Sequence, residues 1–143
     1  MTNRRRKSVW LGTCGLGGNL GGIAQVARNC VSLLRTAPGG LCLKRVISLL
    51  DREAAGDVPR AGGKLPRLSA CRGSRARFAA RMTAQLLWRP DLIVYDHVDL
   101  AQCQTLLPKS LRSRHAVWAC GVEVWRPLPA RKLKALKTAD LLL

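Results

Sequence analysis

Apolar positions along the chain follow two alternating rhythms. Short near-continuous runs occur at Val9–Thr13, Leu43–Leu50, Leu92–Tyr95 and Ala116–Cys120, with another beginning at Asp140–Leu143. Each has the length and density of a strand buried on both faces. Between them lie segments with helical spacing. Ile23, Val26, Ala27, Cys30, Leu33 and Leu34 share one face of a helix that should end near Thr36, ahead of Pro38-Gly39-Gly40. Phe78, Ala79, Met82 and Leu86 form a stripe on a second helix over Ser74–Trp88, with Arg77 and Arg81 facing away. Short helices are predicted over Leu100–Leu107 and Arg131–Thr138. The stretch Asp51–Gly73 is irregular and basic, and reads as a long mobile loop without a strand.

Strand–helix alternation with fully apolar strands predicts an α/β fold: a Rossmann-like parallel sheet of five strands with helices on both faces. The whole chain, 1–143, reads as one domain, large enough to bury a core. In such a sheet ligands bind at the carboxyl edge, where the loops leave the strands. Three polar or glycine-rich clusters collect there: Gly15-Leu16-Gly17-Gly18-Asn19-Leu20-Gly21-Gly22, Asp96-His97, and Cys120 through Arg126. A glycine-rich turn ahead of a helix lets backbone N–H groups approach a phosphate closely. The spacing departs from a dinucleotide fingerprint, because Leu20 occupies the third glycine position. Asp51, the first acid after the loop, is poorly placed for a ribose.

Charge changes the picture. Twenty-five Lys and Arg against 8 acids give +17 in 143 residues, while the apolar fraction of 48% disfavours a disordered chain. An excess of that size points to anionic partners (a membrane surface, an anionic substrate or nucleic acid) or, equally, to arginines that an arginine-rich genome places on solvated faces. The few aromatics fall in or beside strands and helix stripes, not among the arginines, which disfavours nucleic acid. Six cysteines without C-x-x-C spacing and only two histidines suit buried thiols in a reducing compartment, with no metal site expected. The run Arg4–Lys7 precedes an apolar segment too short for an export signal, and no span of 18 apolar residues exists.

Four segments carry a family resemblance. Gly21-Gly22-Ile23-Ala24-Gln25-Val26-Ala27-Arg28-Asn29 resembles the "GG-I-x-x-hydrophobic-A-x" opening of family 4 (group 1) GT-B glycosyltransferases. Arg89-Pro90-Asp91-Leu92-Ile93-Val94-Tyr95-Asp96-His97 resembles their "RPD-apolar-DH" strand. Ala116 through Trp125 is similar to their "apolar-HG-x-E-x-W" segment, and Lys134 through Leu143 to the "A-L-x-x-AD" that precedes a further strand. The segments occur in family order and span most of the chain.

The resemblance implies the N-terminal, acceptor-side half of a GT-B fold. Its activity would be retaining transfer from a nucleotide-sugar to a saccharide or lipid-linked acceptor, with neither metal nor cofactor. It places Gly21 and Gly22 against the donor phosphates or sugar, and Asp96, His97 and Trp125 at the acceptor. Cys120 and Glu123 fall at the catalytic positions. The family has histidine where this chain has Cys120, and a thiol is a weak hydrogen-bond donor, so that contribution would be altered. The family's donor-site pair of glutamates has no counterpart, since Glu53 and Glu123 are the only glutamates. The expectation is therefore a truncated product or split half, inactive without a donor-binding domain. Its expected location is cytoplasmic, with peripheral contact at the inner membrane face. A basic nucleic-acid-binding module and an inactive gene fragment are the alternatives.

Overall fold

The computed structural model describes residues 6–17, 21–37, 40–52, 66–119, 125 and 127–143. Strand β1 (Lys7–Thr13) leads to helix α1 (Gly21–Thr36), strand β2 (Leu41–Ser48) and strand β3 (Arg67–Ala70). Helices α2 (Arg75–Thr83) and α3 (Gln85–Trp88) precede strand β4 (Leu92–Tyr95). Helix α4 (Val98–Ala101) runs into 3-10 turns at Gln102–Leu106 and Lys109–Leu111, then strand β5 (His115–Val117), helix α5 (Ala130–Thr138) and strand β6 (Leu141–Leu142).

The strands form one six-stranded sheet in the order β3-β2-β1-β4-β5-β6, with every pairing parallel. This is the doubly wound Rossmann order. The chain winds outward from β1 in one direction, then returns to its other side at β4. The β1/β4 boundary is therefore the topological switch point, where the loops after the two strands part and leave a crevice.

Side-chain alternation divides the core. Val9, Leu11, Val46, Val94 and Ala116 face α1, whereas Trp10, Ile47, Ile93, Tyr95 and Val117 pack on the opposite face with Phe78 and Met82 of α2, Val98 and Ala101 of α4 and Ala135 of α5. Gly12 is required on that second face. A Cβ there would come within 2.8 Å of the Tyr95 ring and 3.1 Å of Phe78. Beneath α3 and α4, Tyr95, Gln104 and Gln85 form a buried polar chain: Gln104 Nε2 donates to the Tyr95 hydroxyl at 2.7 Å and to Gln85 Oε1 at 3.3 Å.

Several expectations need correcting. The stretch from Asp51 to Gly73 holds a strand, β3, so the sheet has six strands and not five. Only two of its four residues, Leu68 and Ala70, are apolar and none is buried, because β3 is an edge strand and needs no apolar run. Residues 53–65, the rest of the expected loop, lie outside the described residues. The buried face of α1 is Ala24, Ala27, Cys30 and Val31, while Ile23 and Leu33 are exposed. Small Ala24 and Ala27 let the helix sit close to the sheet, and that turns the larger side chains outward. The predicted helix over Ser74–Trp88 divides at Ala84 into α2 and α3. β5 is shorter than expected, ending at Val117.

Candidate functional site

The loops leaving β1, β2 and β4 meet at the carboxyl edge of the sheet. Above them lies a cleft of about 780 Å³, within the range of small-molecule sites. Cys14 and Leu50 border it from the sheet edge, Phe78 from α2, His97 and Leu100 from β4 and α4, and Lys134 from α5. Arg75 and Arg131 add positive charge, while Leu49, Ala79 and Leu106 extend the apolar wall. The cleft is thus apolar within and basic around its polar positions, with Asp99 as the acid in the lining. Asp99 is itself engaged: Lys132 Nζ lies 2.9 Å from its Oδ1, and Gln102 Nε2 donates to the same oxygen at 2.9 Å.

His97 stands where β4 gives way to α4. Its backbone is extended, and its Nδ1 accepts the Asp99 backbone N–H at 3.1 Å, capping the helix. With Nδ1 accepting that bond, Nε2 is the ring nitrogen left to donate.

Asp96, one residue earlier, has a different setting. It is 3% exposed. Its Oδ2 accepts the Thr13 hydroxyl at 2.5 Å, and its Oδ1 accepts the Cys14 backbone N–H at 3.1 Å. Burial pushes its pKa up to about 7, against the opposing pull of the Thr13 and Cys14 hydrogen bonds. Asp96 lies outside the cleft lining and ties the turn after β1 to the end of β4.

Asp51 does the same work from the β2 side. Its carboxylate accepts the N–H groups of Leu16 at 2.8 Å and Gly17 at 3.1 Å, and the Ser48 hydroxyl at 2.7 Å. The N–H of Gly15 goes to Thr13 Oγ1 at 3.1 Å. The amides of residues 14–17, which the glycine pattern offered to a phosphate, are therefore donated within the protein. Sequence reasoning missed this role for Asp51, yet a signal was present. In a parallel sheet, the loop after β2 lies beside the loop after β1, and Ser48-x-x-Asp51 puts a hydroxyl and a carboxylate there.

The remaining site residues from the sequence divide as follows. Gly21 and Gly22 open α1, exposed, and a Cβ on either would meet nothing within 4 Å. Gly21 has φ +58°, a left-handed conformation that glycine adopts without strain. Trp125 is 82% exposed and outside the cleft lining. Cys120 and Glu123 lie outside the described residues. The structure thus brings His97 into the cleft, sets Asp96 in the support of its rim, and leaves Gly21, Gly22 and Trp125 away from the lining. Arg75 and Arg131, which no motif flagged, and Lys134, which opens the "A-L-x-x-AD" segment, supply its positive charge.

Among the described residues, no group of three or more His, Cys, Asp or Glu side chains gathers as a metal site, and no helix is long and apolar enough to cross a membrane. Cysteines 14, 30, 42, 71 and 103 stand as thiols. No family model, characterised protein or solved structure matches the chain.

Proposed function

We propose that this chain is the acceptor-side half of a retaining, nucleotide-sugar-dependent glycosyltransferase of the GT-B type, acting on a lipid-linked or saccharide acceptor. The observation that carries the reading is the cleft at the β1/β4 switch point, which joins His97 to a basic rim and an apolar wall. Such a lining suits an acceptor with hydroxyls, negative charge and an apolar portion. Arg75, Arg131 and Lys134 would meet an anionic headgroup, Leu50, Phe78 and Leu106 an apolar chain or sugar face, and Nε2 of His97 an acceptor hydroxyl. The donor would be held by a second Rossmann-like domain facing this edge. Gly21 and Gly22 would lie across from its phosphates, and Cys120 and Glu123 would lie near the transferred sugar. The net charge of +17 favours work at an anionic membrane surface, where each basic residue contributes about 1 kcal/mol of attraction.

The test is a fusion to the donor-binding domain of a family 4 enzyme, assayed for transfer of labelled sugar to a lipid-linked acceptor. The fusion is expected to turn over and this chain alone is not. In the fusion, Gly22→Val is expected to abolish transfer with the melting temperature unchanged, since a Cβ there meets nothing within 4 Å among the described residues. Cys120→His is expected to raise the rate by tens- to hundreds-fold, corresponding to a hydrogen bond of about 2–4 kcal/mol made in the transition state. Turnover by this chain alone, or full activity of Gly22→Val, would refute the assignment.

A further inference from the structure

A second concavity lies on the opposite flank of α2, away from the cleft. It encloses about 710 Å³ between α2 and the β2–β3 edge, and six arginines line it: Arg45, Arg52, Arg67, Arg72, Arg77 and Arg81. Leu68, Ser69 and Ala70 of β3 complete the lining, and no acid takes part among the described residues. Each local element places like charges side by side. Arg45 and Arg67 are register partners on adjacent parallel strands. Arg77 and Arg81 are one turn apart on α2. Arg72 follows β3 in a left-handed conformation with φ +54°, and its Nε donates to the Arg52 carbonyl at 3.2 Å.

Like charges at cross-strand and i,i+4 positions destabilise a fold by tenths of a kcal/mol per pair. Ordinary surfaces relieve this with interspersed carboxylates. Here, the ion pairs found among the described residues involve His97, Asp99, His115, Lys132 and Asp140, and none reaches these arginines. Arg45 is also held in place. Its guanidinium lies 4.6 Å from the Trp10 ring centroid and 5.7 Å from that of Trp88. Burial and the neighbouring Arg67 and Arg81 charges lower its pKa, so among the described residues it sits in a positive field.

We propose that this groove is a binding site for a compact ligand bearing two or more phosphate groups. Guanidinium forks match phosphate oxygens bidentately, and convergence from two strands, two loops and a helix suits several phosphates held close together. A nucleic-acid strand fits less well. The described lining holds no aromatic side chain, so it offers no platform for stacking a base. The site is separate from the switch-point cleft and does not depend on the transferase reading.

The probe is inorganic tripolyphosphate, titrated calorimetrically into the full chain at a constant ionic strength of about 0.15 M. Saturable 1:1 binding is expected, weakened at least tenfold in the double variant Arg67→Gln/Arg81→Gln. The control Lys109→Gln/Arg114→Gln removes equal charge from exposed positions elsewhere and is expected to bind as the parent does. Tripolyphosphate is also expected to raise the melting temperature of the parent above that in sodium chloride of equal ionic strength, and to lose this effect in the first double variant. Vesicles carrying a phosphoinositide headgroup distinguish the source of the phosphates. Binding that tripolyphosphate displaces and the first double variant loses would support the site with a lipid headgroup as occupant. The proposal is overturned if tripolyphosphate shows no saturable binding, or if both double variants weaken it equally. It is likewise overturned if a DNA oligonucleotide binds more tightly than tripolyphosphate and equally to both variants.

Discussion

The two ends of the glycine-rich stretch use their backbone in opposite ways. At residues 14–17 the amides point inward and are consumed by Asp96, Thr13 and Asp51. At Gly21 and Gly22 the chain is exposed, and a Cβ would meet nothing within 4 Å among the described residues. A glycine-rich turn after a strand is therefore not uniformly a phosphate cradle. Its first part can be closed by the protein's own carboxylates, which occupy the position an anion would take in a nucleotide site. Among the described residues of the stretch, the helix-side end is the part left available to a ligand. What decides between the two is the chemistry of the neighbouring strand ends, because parallel strands deliver the loops after β2 and β4 to either side of the turn.

The largest expected effect breaks the closed end. Asp51→Ala removes the acceptor for the Leu16 and Gly17 amides and for the Ser48 hydroxyl. Hydrogen bonds to a charged group contribute roughly 1.5–3 kcal/mol each, and water will recover part of them, so a net loss of about 3 kcal/mol is expected in urea denaturation. If the carboxylate substitutes for an anion, acetate or phosphate should restore part of the lost stability in Asp51→Ala and do much less for the parent. A loss below about 0.5 kcal/mol would mean that the turn holds its shape without Asp51.

Asp96 sharpens the comparison through pH. A carboxyl whose folded pKa is raised to about 7 holds its proton longer in the folded state than the unfolded chain does. Between the unfolded value near 4 and about 7 the folded state binds more protons, so stability falls as pH rises across that window. His115, whose pKa burial lowers, works in the opposite sense, with stability lost as pH falls below its unfolded value of about 6.5. The difference between the parent and Asp96→Asn cancels the histidine. Relative to the parent, Asp96→Asn should gain about 2–3 kcal/mol between pH 5 and pH 8, read from denaturation midpoints at each pH. A constant difference across that range would place the Asp96 carboxyl at its ordinary pKa.

How much of this was legible in the sequence follows the physics of each element. Strands buried on both faces, such as Leu92–Tyr95, announce themselves because nearly every position is apolar. β3 does not, since an edge strand can carry Arg67 and Ser69 without cost. The buried face of α1 was misjudged because hydrophobicity alone ranks Ile23 and Leu33 above Ala24, whereas close helix–sheet approach favours the alanine. At the site, His97 was visible as a polar residue ending an apolar strand. Arg75, Arg131 and Lys134 were not, because they reach the cleft from two helices distant in sequence, and only the packing of α2 and α5 brings them together. The arginine groove was hidden in the same way. Its charge was counted in the total of +17, but the pairing of Arg45 with Arg67 depends on a strand that the sequence did not reveal.

The smallest expected effect concerns the open end and has two signs. Gly21 has φ +58°, where a Cβ costs roughly 1–2 kcal/mol, so Gly21→Ala should destabilise the protein by about 1 kcal/mol. Gly22 follows it within α1 with no such requirement. Alanine is favoured over glycine in a helix by about 1 kcal/mol in the interior and by less in the first turn, so Gly22→Ala should stabilise by about 0.3–0.5 kcal/mol. Opposite signs at adjacent positions, measured by thermal or urea denaturation, would mean that Gly21 serves the backbone and that Gly22 is dispensable to the fold. Retaining glycine at position 22 would then serve whatever approaches the start of α1 from outside. Equal destabilisation at both positions would instead extend the closed, structural part of the turn through Gly22 and remove the contrast between its two ends.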